Sequence, residues 1–270
     1  VSARTGPPPP PPEPLRGEVF DAHCHLDAMG VPVDGAMAAA RAVGVVRVVT
    51  VGDTVASSAW CVAAARAHPD VYAAVAVHPT EVAGLTDVGY AALSDLAADD
   101  RVVAIGETGL DNHWDRTTPV EQELHFRRHI QLAKDAGKPI MIHDREAHDA
   151  VLRILREEGP PPAGVVFHAF SGDAPMAREC ADQGFLLSFP GVVTFRNAPS
   201  LREAAAAAPL EALLVETDAP FLTPHPHRGR PNAPYLIPLT LRVIADIRGL
   251  DESELCAAVT ANGARVFGWT

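Results

Sequence analysis

Two histidines separated by a single residue, His23 and His25, lie near the start of the sequence. Side chains alternate along an extended strand, so imidazoles two apart face the same way and can offer two neutral nitrogens to one cation. An isolated pair of this kind is a weak signal. It gains weight because Glu107, His143, His168 and Asp218 each follow a short apolar run elsewhere in the chain. One histidine at a strand end is more often a core residue than a ligand. Six ionisable groups at equivalent positions are hard to ascribe to packing, because burying them without partners is costly. Imidazole suits zinc, manganese, iron or nickel, and carboxylates extend the range to magnesium. Six protein ligands exceed what one catalytic zinc takes. The set therefore predicts two divalent ions (magnesium, manganese or zinc) sharing Glu107 as a bridge. Such ions bring bound water within reach of ionisation near neutral pH. Asp218, on the last strand, is predicted to orient that water or accept its proton, so Asp218 and Glu107 are the predicted catalytic carboxylates.

Other polar residues share these strand ends. His78, Arg145 and Arg228 are predicted substrate contacts, each weighed against a structural role: a hydrogen bond for His78, a salt bridge to Glu146 or Asp149 for Arg145, and loop fixation for Arg228 and Asn232. Asp111 is expected to hydrogen-bond a ligand histidine, and Glu216, two before Asp218, to support the site or the substrate. Cys24 should face away from its two flanking histidines and pack. His225 and His227 read as exposed loop residues, and Arg127, Arg128 and His129 as a solvated helix face.

These side chains need elements to hold them. Eight apolar runs alternate with longer amphipathic stretches: Val19–Ala22, Val45–Val51, Val71–Val77, Val102–Ile105, Ile140–Ile142, Val165–Phe167, Phe185–Ser188 and Leu213–Val215. Near-continuous Val/Ile runs suit parallel strands buried on both faces. Thr54–Ala67 and Pro119–Ala136 read as helices, the second with a threonine cap, a first-turn proline and a terminal Gly137. Ala204–Ala208 reads as the middle of another. Eight strand–helix units in about 250 residues predict an α/β fold, a single (β/α)8 TIM-type barrel, slightly elaborated, whose active site lies at the C-terminal ends of the strands. A doubly wound open sheet is the alternative, since strand order is not written in the sequence. Residues 18–270 form the predicted barrel. Residues 1–17, with prolines from Pro7 through Pro12, are expected to be a disordered, proline-rich leader, with a docking site for a proline-recognition partner as the alternative.

Composition narrows the class. The chain has 270 residues, 47% of them hydrophobic, enough for one large core. It shows neither a signal-peptide pattern nor an apolar stretch approaching about 20 residues, so a soluble cytoplasmic protein is expected, monomeric by default. The four cysteines, Cys24, Cys61, Cys180 and Cys256, have no paired spacing and are expected to be reduced. A net charge of −12 disfavours broad wrapping of nucleic acid, but bound metal ions can supply positive charge where a phosphate must sit.

The ordered motifs resemble the TatD family of metal-dependent deoxyribonucleases, a branch of the amidohydrolase-like barrels. The matching stretches are Asp21–Asp27, Val77-His78-Pro79, Gly106–Asp111, Pro139–His143, His168–Gly172 and Glu216–Pro224, then Arg228-Gly229, Asn232, Pro234, Asn262 and Val266-Phe267-Gly268. The resemblance implies a TIM barrel, divalent-metal phosphodiester hydrolysis, and metal ligands at His23, His25, Glu107, His143, His168 and Asp218. It also implies DNA as substrate, often a single strand trimmed 3′ to 5′, with RNA or tRNA as further partners; some members are linked to removal of D-amino acids from tRNA. Two positions depart from the pattern: Ala169 stands where cysteine is frequent, and His113-Trp114 follow Asp111-Asn112 where aromatic residues are usual. Three classes follow: a DNA phosphodiesterase, an amidohydrolase-type esterase or deacylase such as a D-aminoacyl-tRNA deacylase, and a non-catalytic barrel. Many two-metal barrels of the wider superfamily bridge their ions with a carbamylated lysine from the fourth strand; Glu107 at that place favours the nuclease-like branch. The bridging role is tested by Glu107→Ala, which is expected to abolish turnover and lower metal content together. Full activity in that variant would refute it.

Overall fold

A computed structural model describes residues 6–269. Eight strands form one parallel sheet in sequential order: β1 (Val19–Cys24), β2 (Val45–Val51), β3 (Val71–Val75), β4 (Val102–Asp111), β5 (Ile140–Arg145), β6 (Val165–Phe167), β7 (Leu186–Phe189) and β8 (Leu213–Val215). All neighbouring pairs are parallel. The helices are α1 (Val33–Arg41), α2 (Val55–Ala67), α3 (Asp87–Ala97), α4 (Pro119–Ala136), α5 (His148–Glu158), α6 (Ala174–Asp182), α7 (Pro199–Ala207), α8 (Ile237–Arg248) and α9 (Glu252–Phe267). This is the TIM-type barrel, and an open doubly wound sheet is excluded by the strand order. The seam closes just beyond β8: Asp218 N–H donates to the His23 carbonyl at 2.8 Å, and His25 N–H donates to the Ala219 carbonyl at 2.7 Å.

Strand positions follow the apolar runs, and the largest difference is instructive. β4 continues through Gly106-Glu107-Thr108-Gly109 to Asp111, well past the apolar Val102–Ile105. Polar residues extend a strand here because β5 lies unusually close. At Gly109, with φ of 142°, a Cβ would fall 2.0 Å from the His143 carbonyl oxygen, so only glycine fits. α4 begins and ends as its sequence requires. Thr118 accepts from Glu121 N–H while the Glu121 carboxylate accepts from Thr118 N–H, and Gly137 caps the end at φ of 64°. The alanine run falls in the C-terminal half of α7 rather than its middle, with Ala208 as the cap.

The proline-rich segment differs from the expected disorder from residue 6 onward; residues 1–5 lie outside the described residues. Side chains of the body hold its carbonyls. Arg230 donates to Pro7 and Pro8 at 2.9 and 2.8 Å, the Tyr235 hydroxyl to Pro9 at 2.6 Å, and Arg242 to Glu13 and Pro14 at 2.9 and 3.0 Å. Proline has no N–H to satisfy and little backbone freedom to lose, so a few donors suffice to fix it.

Two apolar clusters make the core. The larger lies between sheet and helices. The smaller joins Phe20, Val49, Met141, Val166 and Leu214 with Val266, Phe267 and Trp269 at the end of the chain. Phe20 meets Phe267 and Trp269 edge-on, with centroids 6.1 and 5.1 Å apart. The C-terminal segment thus packs against the start of β1, leaving the opposite end of the barrel for polar groups. The fit is tight: a Cβ on Gly263 of α9 would lie 2.3 Å from the Phe20 ring. Alanine gains about 1 kcal/mol over glycine in a helix interior, whereas overpacking costs about 1–3 kcal/mol. Gly263→Ala is therefore expected to lower the urea unfolding midpoint, and a raised midpoint would mean that the Phe20 ring gives way.

Candidate metal centre

The six predicted ligands converge at the C-terminal mouth of the barrel. Glu107, almost fully buried on β4, sits at their centre, and its two oxygens face different partners. Oε2 lies 3.4 Å from His23 Nε2 and 3.9 Å from His25 Nε2. Oε1 lies 2.6 Å from His143 Nδ1, 3.3 Å from His168 Nε2 and 3.6 Å from His78 Nε2. Asp218 Oδ1 joins the first group, 3.4 Å from His25 Nε2 and 3.8 Å from His23 Nε2.

The other nitrogen of each of these imidazoles faces a backbone, sulfur or carboxylate atom. His25 Nδ1 lies 3.0 Å from the Val51 carbonyl oxygen, His23 Nδ1 lies 3.1 Å from the Met141 sulfur, and His168 Nδ1 lies 2.9 Å from Glu216 Oε1. His143 is turned the other way, with Nε2 2.9 Å from Asp111 Oδ2. Acceptors on the outer nitrogens place the ring protons there, which leaves the inner lone pairs directed at the cluster. His23 Nε2 and His25 Nε2 are only 3.2 Å apart, and two such lone pairs repel unless a cation or proton lies between them. The donor set therefore fits divalent cations. Among the described residues, four groups of candidate ligand atoms have the required spacing: His23, Glu107 and His168; His23, His25 and Asp218; and His25, Asp53 and Glu107, which share members, and a separate group of His78, Asp111 and His143.

Electrostatics follow the same arrangement. Burial alone would raise Glu107, but the imidazoles of His168, His78 and His143 outweigh it and hold the carboxyl well below its usual range. Burial opposes charge on His25, yet Asp53, Asp218 and Glu107 raise it to about 10. His143 likewise rises to about 9 against its burial, through Asp111 and Glu107. His23, buried against His168, is lowered. Without metal, protons hold the cluster together.

Closure of the barrel positions Asp218. Asp21, fully buried on β1, accepts from the Thr217 N–H at 2.8 Å and from the Thr217 hydroxyl, and burial raises its carboxyl to about 7. The backbone at Asp218 has φ of 54°, in the left-handed region that aspartate tolerates better than most residues. Asn232 secures the following loop, its side-chain N–H donating to the Thr217 and Phe221 carbonyls at 2.7 and 2.5 Å.

The remaining predicted residues divide. His78 lines the cavity of about 650 Å³ above the cluster and accepts from Thr80 N–H at 3.1 Å through Nδ1; burial lowers it to about 3. Arg145 lines the same cavity and pairs with neither Glu146 nor Asp149. Arg228 is not brought there. It is exposed, with its guanidinium 4.9 Å from the Phe195 ring centroid, and does not line the cavity. Asp111 faces His143 and Glu216 faces His168, and Cys24 packs away from the cluster with its thiol toward the Val49 carbonyl. All four cysteines are free. His225 is exposed. His129 corrects the reading of a solvated face: it is fully buried, with Nδ1 2.9 Å from the Thr108 hydroxyl and Nε2 accepting from Val77 N–H at 3.4 Å. Arg127 and Arg128 on the same helix do reach surface carboxylates. Asp53 escaped the sequence reading. It follows β2 by two residues, and its Oδ1 lies buried without a hydrogen bond 3.5 Å from His25 Nδ1. The strand-end rule that found the other ligands, applied to Val51-Gly52-Asp53, points to it.

Comparison with known proteins adds a further observation. The family model described as TatD related DNase matches residues 20–268. The chain is 49% identical to the uncharacterized metal-dependent hydrolase TatD of Mycobacterium tuberculosis, over 93% of this chain and 98% of that protein. It is 36% identical to the 3′-5′ ssDNA/RNA exonuclease TatD of Cronobacter sakazakii, over 87% and 91%. Among solved structures, the TatD homolog YJJV from Escherichia coli superposes with a TM-score of 0.87 at 27% identity, covering 93% of this chain and 98% of that one.

The raised histidines give a pH test. A folded pKa above the ordinary value of 6.5 contributes stability that is complete below pH 6.5 and lost as pH rises through the folded value, about 10 for His25 and 9 for His143. Asp21, raised from 3.8 to about 7, acts in the same direction but below that window, its contribution being lost as pH rises from about 4 to 7. The lowered histidines act only on the acid side. Metal-stripped protein is expected to lose thermal stability between pH 7 and 10, while protein loaded with manganese changes little. Parallel curves for the two forms would contradict the placement of the cations.

Proposed function

The chain belongs to the TatD-related DNase family of metal-dependent hydrolases, and from that premise we propose that it hydrolyses phosphodiester bonds of DNA, removing nucleotides from the 3′ end of single strands, with RNA as a further substrate. The observation that carries the reading is Glu107, whose Oε2 faces His23 and His25 while Oε1 faces His143 and His168. In this reading His23, His25, Glu107 and Asp218 would hold one divalent cation, and Glu107, His143 and His168 would hold a second. When bound, such ions neutralise charge on a phosphate and make hydroxide available near neutral pH.

The chain's own residues do the rest. Asp218, at the seam and open to the cavity, accepts the proton of the attacking water through a carboxylate oxygen. Glu216 and Asp111 fix the rings of His168 and His143, so the ligand set need not reorganise during the reaction. Arg145 supplies a cation on the cavity wall for a phosphate oxygen, and its planar fork suits that geometry. The acidic chain gives little general attraction to nucleic acid, so binding is concentrated at this mouth. No helix among the described residues is long and apolar enough to cross a membrane, and action in the cytoplasm belongs to the same proposal.

The test compares metal-stripped protein with samples given magnesium, manganese or zinc, on 5′-labelled single-stranded DNA, duplex DNA and a D-aminoacyl-tRNA. Metal-dependent shortening of the single strand is expected, and Asp218→Asn should slow it by about 10²–10⁴-fold. Release of the amino acid without any DNA cleavage would move the assignment to a deacylase using the same residues.

A further inference from the structure

The loop after β4 carries a side chain that the metal centre does not use. Trp114 is 42% exposed on the rim of the cavity, a large apolar surface left to solvent beside a polar site. It is held in register with the cluster through one carboxylate: Asp111 Oδ1 accepts from Trp114 N–H at 3.0 Å, and Asp111 Oδ2 lies 2.9 Å from His143 Nε2. His113 braces the indole edge-on, with centroids 4.9 Å apart and planes at 89°. Two guanidinium groups flank it, Arg116 and Arg145, each with its central carbon 6.0 Å from the ring centroid. Arg116 is tied to Glu81 at 3.0 Å. Arg145 has no carboxylate within ion-pair distance among the described residues, so its charge is available.

We propose that Trp114, with Arg116 and Arg145 beside it, is a stacking platform for an unpaired base of the strand whose phosphodiester occupies the metal centre. This rests on the nucleic-acid reading above and assigns a base-binding residue to its preference for single strands. Every base offers a π-face, so an exposed indole holds bases with little regard to sequence. The flanking guanidinium groups match the phosphates that must run past the same rim. A base inside a duplex already has both faces stacked and cannot use the platform without unpairing. The platform therefore favours single strands and frayed ends, and it fixes the terminal nucleotide relative to Glu107 through Asp111.

The experiment uses manganese-loaded wild type, Trp114→Ala and Trp114→Phe on 5′-labelled single-stranded oligonucleotides. One is unmodified, and the others carry a single tetrahydrofuran abasic residue at one of the last three 3′ positions. Wild type is expected to lose about 10–100-fold in kcat/KM when the base is missing at one of these positions. Trp114→Ala should treat all the oligonucleotides nearly alike, and Trp114→Phe should keep part of the discrimination, a pattern that mere loosening of the loop would not produce. Arg145→Gln should reduce the slope of log KM against log salt by about one. Equal abasic discrimination in wild type and Trp114→Ala, or indifference of wild type to every base, would overturn the platform while leaving nuclease activity standing. Failure of wild type to cleave any oligonucleotide would instead remove the nucleic-acid reading, and the platform with it.

Discussion

Everything at the barrel mouth is arranged around one buried carboxylate placed between two groups of imidazoles. A charged Glu107 in the interior is tolerable only if positive charge reaches both of its oxygens. His143 and His168 approach one oxygen, and His23 and His25 the other. Those five side chains come from β4, β5, β1 and the residues that directly follow β1 and β6. Only a closed barrel brings strands so far apart in sequence around a common axis. The glycines beside Glu107 serve the same end, since β5 could not lie against β4 with a side chain at Gly109.

Closure is itself built into the chemistry. The backbone bonds that join β1 to the segment after β8 involve His23, His25, Asp218 and Ala219, so the seam and one half of the proposed ligand set use the same residues. Asp21 and Thr217 tie that seam one step further in. Loss of the seam would separate His23 and His25 from Asp218, whereas the other half of the set lies within the continuous run from β4 to β6. Opposite the mouth, Phe20 and the C-terminal aromatics form an apolar floor. Polar mouth and apolar floor together define one rigid axis along which the ligands can be positioned.

Much of this was legible in the sequence for simple reasons. Strands buried on both faces must be apolar, so β2, β6 and β8 match their runs to the residue. Ligands must leave the apolar layer at the mouth, so histidines and carboxylates mark the strand ends. What escaped depended on direction and distance. His129 sits on a helix whose visible face is basic, yet its ring turns inward to Thr108 and Val77, which helical spacing beside two arginines does not reveal. Asp53 followed the rule but lacked a histidine beside it to draw notice. Arg228 lies in a loop tied to distant residues, His225 N–H donating to the Thr194 hydroxyl and Arg230 to the Pro7 and Pro8 carbonyls. The proline segment is ordered by donors from residues more than 200 positions away, a contact that local composition cannot encode.

The central claim is that Glu107 bridges two cations in this barrel. Anomalous diffraction from crystals of the wild-type protein grown with manganese tests it most directly. Two peaks roughly 3.5–4 Å apart are expected, one bounded by His23, His25 and Asp218 and the other by His143 and His168, each contacting a different oxygen of Glu107. A single peak at full manganese saturation, or two peaks with Glu107 turned away from one of them, would contradict it.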